Sequence, residues 1–266
     1  MVWPSKRWRS CSMMPDLLIS CATPPELAGF TSPFIQTGQT ALSTTVATDF
    51  KSPDHRTAFR LLYTGIGVVN TAHSLTLAIE RHRPGLVINT GIAGIFKESG
   101  LCVGDIGIAS EERYLHTGVA LDQPIPDPLP FELLKGLPKS KQGIFECHRD
   151  LGKRLVRRIK DQGDCSHYTI ALGPFITVST ITGSQKTASA IYSRVTRNTT
   201  GPVMESMEGA AAAQICAAYG IPFLEIRAGS NFVGERNKAS WDIPLASNNL
   251  VHALDRLLDQ FKTNPP

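Results

Sequence analysis

The chain has 266 residues, 42% hydrophobic and 19% charged, the size and apolar content of one globular domain with a sizeable core. Intrinsic disorder is therefore not the expected state. Twenty-seven basic and 23 acidic residues leave a net charge of +4, dispersed along the chain, which argues against a nucleic-acid partner. The six cysteines form no C-x-x-C pair and no zinc-type spacing, so no metal site is expected and a reduced, cytoplasmic setting is the natural compartment.

The amino terminus imitates an export signal, with Lys6, Arg7 and Arg9 ahead of Leu18-Ile19-Ser20-Cys21. Ser10, Ser12, Pro15 and Asp16 interrupt the apolar segment that such a signal needs. Residues 1–14 are thus expected to be a dispensable leader and 15–266 the folded domain. No run of about 20 apolar residues occurs, so no membrane span is expected.

In chain order, Leu17 to Cys21 reads as a first strand and Phe59 to Tyr63 as another, ending at Gly65-Ile66-Gly67. Val68, Val69, Ala72, Leu75, Leu77, Ala78 and Ile79 then recur near helical spacing until Pro84-Gly85. Leu86 to Ile88 reads as a buried strand that runs into a Gly-rich turn, Asn89-Thr90-Gly91-Ile92-Ala93-Gly94. Residues 113–168, with five prolines between 124 and 138 and a charged helix candidate over 150–160, read as an excursion rather than a second domain. Glu208 to Tyr219 is an Ala-rich helix stopped by Gly220, Pro222 to Ile226 is a strand, and a final helix carries Leu250, Val251, Leu254, Leu257, Leu258 and Phe261 on one face. This alternation predicts an α/β fold, a three-layer αβα domain around a mixed, mostly parallel sheet, with ligand sites beyond the carboxyl ends of the strands.

The Gly-rich turns complete neither G-x-x-x-x-G-K-[ST] nor G-x-G-x-x-G, which disfavours nucleoside triphosphates and dinucleotides. Tight turns, or backbone approached closely by a ligand at Gly91, Ile92 and Ala93, both remain open. Glu208 at the start of its helix suits the helix dipole; its two oxygens would equally accept from the vicinal hydroxyls of a sugar, with Met207 as a polarizable contact. Ser230 and Asn231 follow a buried strand, where a bound group would be read, although Asn231 could instead cap a turn.

Together, NTGIAG at 89–94, VGDI at 103–106, SMEGAA at 206–211 and IPFLEIRAGSNFVG at 221–234 resemble the nucleoside phosphorylase and nucleosidase superfamily. Within it, the segment from Met207 through Trp241-Asp242-Ile243 is most similar to the futalosine hydrolases of menaquinone biosynthesis. The resemblance implies that Glu26 prepares an attacking water, Glu208 with Met207 holds ribose, Thr180 and Ile181 line the base pocket, and Asn231 stands where adenine-cleaving relatives carry an aspartate. It also implies hydrolysis of the N-glycosidic bond of futalosine to hypoxanthine and dehypoxanthinyl futalosine without any cofactor, in a homo-oligomer, the alternative being another purine nucleosidase acting on aminofutalosine, methylthioadenosine or S-adenosylhomocysteine. A phosphorylase would need a cationic clamp at the Gly-rich turns, and neither turn has an arginine beside it in the sequence, so hydrolysis is expected. A non-catalytic nucleoside-binding protein is the further alternative, which would lack a working base at Glu26.

Overall fold

In the computed structural model the described residues are 16–121, 125–161, 167–235 and 237–263. The expected leader, Cys11 and Cys165 lie outside them. Ten strands form one sheet: β1 (Leu17–Cys21), β2 (Ile35–Leu42), β3 (Thr45–Lys51), β4 (Ala58–Tyr63), β5 (Leu86–Ile95), β6 (Ile106–Tyr114), β7 (Ile144–Glu146), β8 (Ile170–Thr177), β9 (Met204–Ser206) and β10 (Phe223–Phe232). The helices are α1 (Val68–Arg81), α2 (Arg149–Asp161), α3 (Gln185–Val195), α4 (Gly209–Tyr219) and α5 (Ile243–Thr263).

The sheet is mixed, as expected, and the longer ladders of its centre are parallel. β1 pairs in parallel with β4 and β5, β10 with β5, and β8 with β6 and β9. An equal number of pairs, β2 with β3, β3 with β4, β5 with β9, β6 with β7 and β6 with β10, are antiparallel. The antiparallel pairs include the hairpin β2–β3, whose polar, largely exposed strand β2 lacks the apolar alternation that marks a half-buried strand. Because β5 pairs with both β9 and β10, the strands β5, β10, β6, β8 and β9 close into a ring.

Strand alternation sorts side chains between two helical layers. Leu17, Ile19, Leu86, Ile88, Leu224 and Ile226 pack with Leu151 and Leu155 of α2 and with Leu250, Leu254 and Leu257 of α5. Leu18, Val87 and Phe223 point the other way, toward Leu75 and Ile79 of α1 and Ala212, Ala213 and Cys216 of α4. Each fully buried leucine or isoleucine contributes roughly 1.5 to 3 kcal/mol, so these layers fix the register of the strands. The VGDI motif is a joint in this frame: the Asp105 carboxylate accepts from Cys102 N at 2.7 Å and Thr169 N at 2.6 Å.

Two segments differ from the sequence reading. The run from Asn89 to Gly94 is not a turn: β5 continues to Ile95, because Gly91 to Ala93 pair with Arg227 to Gly229 of β10, and Gly94 also pairs with Glu205 of β9. Likewise, β10 does not stop at Ile226 but carries Ser230 and Asn231 within the strand, past a bulge between Gly229 and Asn231. Within the excursion, β7 returns to the edge of β6 and α2 packs against the sheet. No helix of the described residues is long and apolar enough to cross a membrane.

Candidate active site

Buried in the middle of β10 is Arg227, 1% exposed. Two charges two residues apart on an otherwise apolar strand share one face, so Glu225 lies beside it and its Oε1 accepts from Arg227 Nε at 2.8 Å. Arg227 Nη1 reaches Glu208 Oε2 at 3.3 Å and the Ile92 carbonyl at 3.3 Å. Burial alone would lower the arginine's pKa; Glu225, Glu208 and Glu26 outweigh it and hold the guanidinium charged.

Glu208 stands at the N-cap position of α4 but makes no capping bond with its side chain. Its Oε1 accepts instead from Gly67 N at 3.0 Å, at the start of α1, and its Oε2 from Met207 N at 3.3 Å. The carboxylate is turned across the sheet, toward the β4–α1 turn and Arg227. Met207 is half-buried against the cluster of Phe96, Ile176, Val178 and Val233.

Glu26 lies on a single 3-10 turn, Pro24–Leu27, just after β1. Pro24 and Pro25 open that turn, a position where a missing N–H costs nothing, and the turn brings the side chain back over the strand end. Cys21 Sγ donates to Glu26 Oε2 at 2.9 Å. Burial holds the Glu26 carboxyl above its ordinary value, while the Cys21 thiol and Arg227 pull it down. Around it, burial first and Glu26 next push the Cys21 thiol well up, and Tyr63 at the end of β4 is pushed up to about 12.

Gly91 is where these groups meet. It has a φ of 148°, and a Cβ there would lie 2.8 Å from Arg227 Nη1 and 2.9 Å from Glu26 Oε2. The glycine makes room for two protein side chains. It also brings an arginine to a Gly-rich segment, which corrects the expectation from sequence that no cation stands there.

Further along the β5–β10 seam, the single proton of Ser230 Oγ is shared between Asn231 Oδ1 at 2.8 Å and the Ala93 carbonyl at 3.3 Å. Asn231 Nδ2 donates to the Phe232 carbonyl at 3.1 Å, so Asn231 is not a turn cap and retains a second N–H. Thr180 and Ile181 are exposed on the loop between β8 and α3. That loop is tied down at Ser179, whose N donates to His116 Nδ1 at 3.0 Å, and at Thr182, whose N and Oγ1 donate to Glu205 at 3.1 and 2.5 Å. The structure thus gathers Glu26, Gly91, Ile92 and Glu208 around Arg227 and sets Ala93, Ser230 and Asn231 beside them on the same seam. Thr180 and Ile181, on the exposed β8–α3 loop, form no hydrogen bond or ion pair with that group among the described residues.

Comparison with known proteins decides the lineage. The family profile described as the phosphorylase superfamily matches residues 16–262. The chain belongs to the phosphorylase superfamily. Among its members, a 5′-methylthioadenosine/S-adenosylhomocysteine nucleosidase from Bacillus cytotoxicus is 31% identical over 182 residues, 68% of this chain and 71% of that protein. The Colwellia psychrerythraea nucleosidase of the same name, solved in complex with adenine, aligns over 92% of this chain and 94% of its own, with a TM-score of 0.72 and 25% identity. A futalosine hydrolase of Helicobacter pylori shares the superfamily fold over 93% of this chain and 99% of its own, with a TM-score of 0.74 and 18% identity. Arg227 and Glu225 are the residues of this site that motif reading passed over; the signal was the alternation of charged and apolar residues in Phe223-Leu224-Glu225-Ile226-Arg227-Ala228.

Proposed function

We propose that the protein hydrolyses the N-glycosidic bond of a purine nucleoside. The observation that carries this is Glu208, buried yet turned away from its own helix and anchored by Arg227 within reach of the segment that Glu26 overhangs. As the bond breaks, positive charge grows on the ribosyl ring and negative charge on the base, and a site accelerates the reaction by stabilising both. Glu208 accepts from the ribose hydroxyls and stabilises the cationic sugar. Glu26, its carboxyl held up by burial, takes the proton from water, a contribution of about 10² to 10⁴. Three carboxylates, Glu26, Glu208 and Glu225, surround the single guanidinium, so a phosphate dianion would meet excess negative charge. Water suits that field better than phosphate does, and this electrostatic argument replaces the missing-arginine one.

The names of the relatives support 5′-methylthioadenosine or S-adenosylhomocysteine as substrate. Asn231 favours a second reading, futalosine, whose base is hypoxanthine. An amide cannot protonate N7 as a carboxylic acid can, but its free N–H donates to N7 or O6 of a 6-oxopurine, whose anion leaves more readily. The test is product analysis with methylthioadenosine, S-adenosylhomocysteine, futalosine and aminofutalosine, with and without phosphate. Hydrolysis predicts free sugar products and no need for phosphate; a ribose 1-phosphate product overturns it. A 6-oxo preference built on buried hydrogen bonds is worth about 1 to 3 kcal/mol per mispaired group, and equal kcat/KM for futalosine and aminofutalosine would remove Asn231 from base recognition.

A further inference from the structure

Behind Arg227, away from Glu26, two more carboxyl groups are wholly buried: Glu112 on β6 and Glu225 on β10, each 0% exposed. Glu225 Oε1 accepts from Arg227 Nε at 2.8 Å and from Asn89 Nδ2 at 3.1 Å, and Asn89 Oδ1 in turn accepts from Ser20 Oγ at 3.0 Å. Glu112 Oε2 accepts from Thr177 Oγ1 at 2.9 Å, while that hydroxyl accepts from Ala210 N at 2.7 Å. Each carboxyl therefore has one oxygen satisfied. The other two, Glu112 Oε1 and Glu225 Oε2, receive no donor from any other described group. They converge on Gly209, where a Cβ would lie 2.1 Å from the first and 2.5 Å from the second.

Two facing carboxyl groups sealed from water do not both ionise. One proton between them makes an O–H···O⁻ bond, among the strongest hydrogen bonds in proteins. Its owner follows from the partners: Glu225 is paired to a guanidinium, whereas Glu112 has only a hydroxyl. We propose that Glu112 is a protonated carboxylic acid that donates from Oε1 to Glu225 Oε2, and that it is a positioning residue for Arg227 and, through it, for Glu208. With both its oxygens held, Glu225 cannot rotate, which fixes the guanidinium whose Nη1 meets Glu208. An ionised Glu112 would instead compete with Glu208 for the same cation. The titratable groups around Glu112 are Glu225 and Arg227 from β10 and the thiol of Cys147, itself pushed up by burial with both glutamates nearby. Burial and Glu225 push Glu112 well above the carboxylate range, against the weaker pull of Thr177 and Arg227.

The activity readout rests on the nucleosidase reading; the spectroscopic one does not. Infrared spectra of the whole protein at about pH 8, where an ordinary glutamate is fully ionised, are expected to contain the C=O band of a buried carboxylic acid that Glu112→Gln removes. Glu112→Gln, whose amide still donates to Glu225, is expected to keep kcat/KM close to wild type. Glu112→Leu, which takes the donor away, is expected to lose about a hundredfold in kcat/KM, the scale of a small misplacement at a reacting centre. Absence of the band from the wild type, its persistence in Glu112→Gln, or a glutamine variant as impaired as the leucine one would overturn the proposal. Should no nucleoside be turned over, the band alone still decides where the proton is, and should Glu112→Leu fail to fold, the band and the glutamine variant decide.

Discussion

The same three strands build two unlike faces. Toward α2 and α5, β1, β5 and β10 present Leu17, Ile19, Leu86, Ile88, Leu224 and Ile226, a dry aliphatic layer. Toward α1 and α4, the alternate positions carry Ser20, Asn89, Glu225 and Arg227, joined to one another by hydrogen bonds. The aliphatic face gains stability with every side chain it covers. The polar face gains nothing from burial as such, because desolvating a charge costs several kcal/mol unless a partner compensates it. Both sides of the sheet bury apolar side chains, but only the side toward α1 and α4 also carries the charged residues of the site.

Breaking the polar face should have the largest effect. Arg227→Met leaves Glu225 and Glu208 buried without their cation, at a cost of about 3 to 5 kcal/mol, and it releases Glu208, so stability in urea and kcat/KM should both fall. A variant that lost neither would show that the guanidinium is incidental. On the aliphatic face, Leu254→Ala empties a fully buried site on α5 and should cost about 2 to 5 kcal/mol while kcat/KM per folded molecule stays near wild type. A loss of turnover as large as that of Arg227→Met would abolish the distinction between the faces.

The smallest expected effect sharpens the boundary between them, at Cys21. Burial holds Glu26 up and the thiol's hydrogen bond pulls it down, so Cys21→Ala raises the Glu26 pKa further. A base must be ionised to act, hence the acid limb of the kcat/KM profile should move to higher pH in Cys21→Ala. A limb that stays in place or moves to lower pH would mean that Glu26 does not set it.

The apolar frame was legible in the sequence because period-two and period-3.6 patterns of Leu, Ile and Val report β1, α1 and α5 directly, and a run of alanines reports α4. Where glycine or polar residues occupy a strand that pattern fails: Asn89 to Gly94 looks like a turn, and its continuation of β5 depends on pairing with β9 and β10, far away in the chain. For the same reason β6, β8 and the β2–β3 hairpin went unread, since Gly173-Pro174 interrupts β8 and exposed polar residues fill β2. Met207, Glu208 and Asn231 stand in motifs and could be singled out, and the family resemblance pointed to Glu26. Glu112 could not, because its partner lies 113 positions on and only the β6–β10 pairing brings the two together.

Glu26→Gln tests most directly whether this site hydrolyses a nucleoside. The side chain keeps its shape and still accepts from Cys21 but can no longer take a proton from water. Calorimetric binding of a purine nucleoside should remain near wild type while kcat falls by at least about a hundredfold. Unchanged turnover in a variant that binds normally would contradict Glu26 as the base.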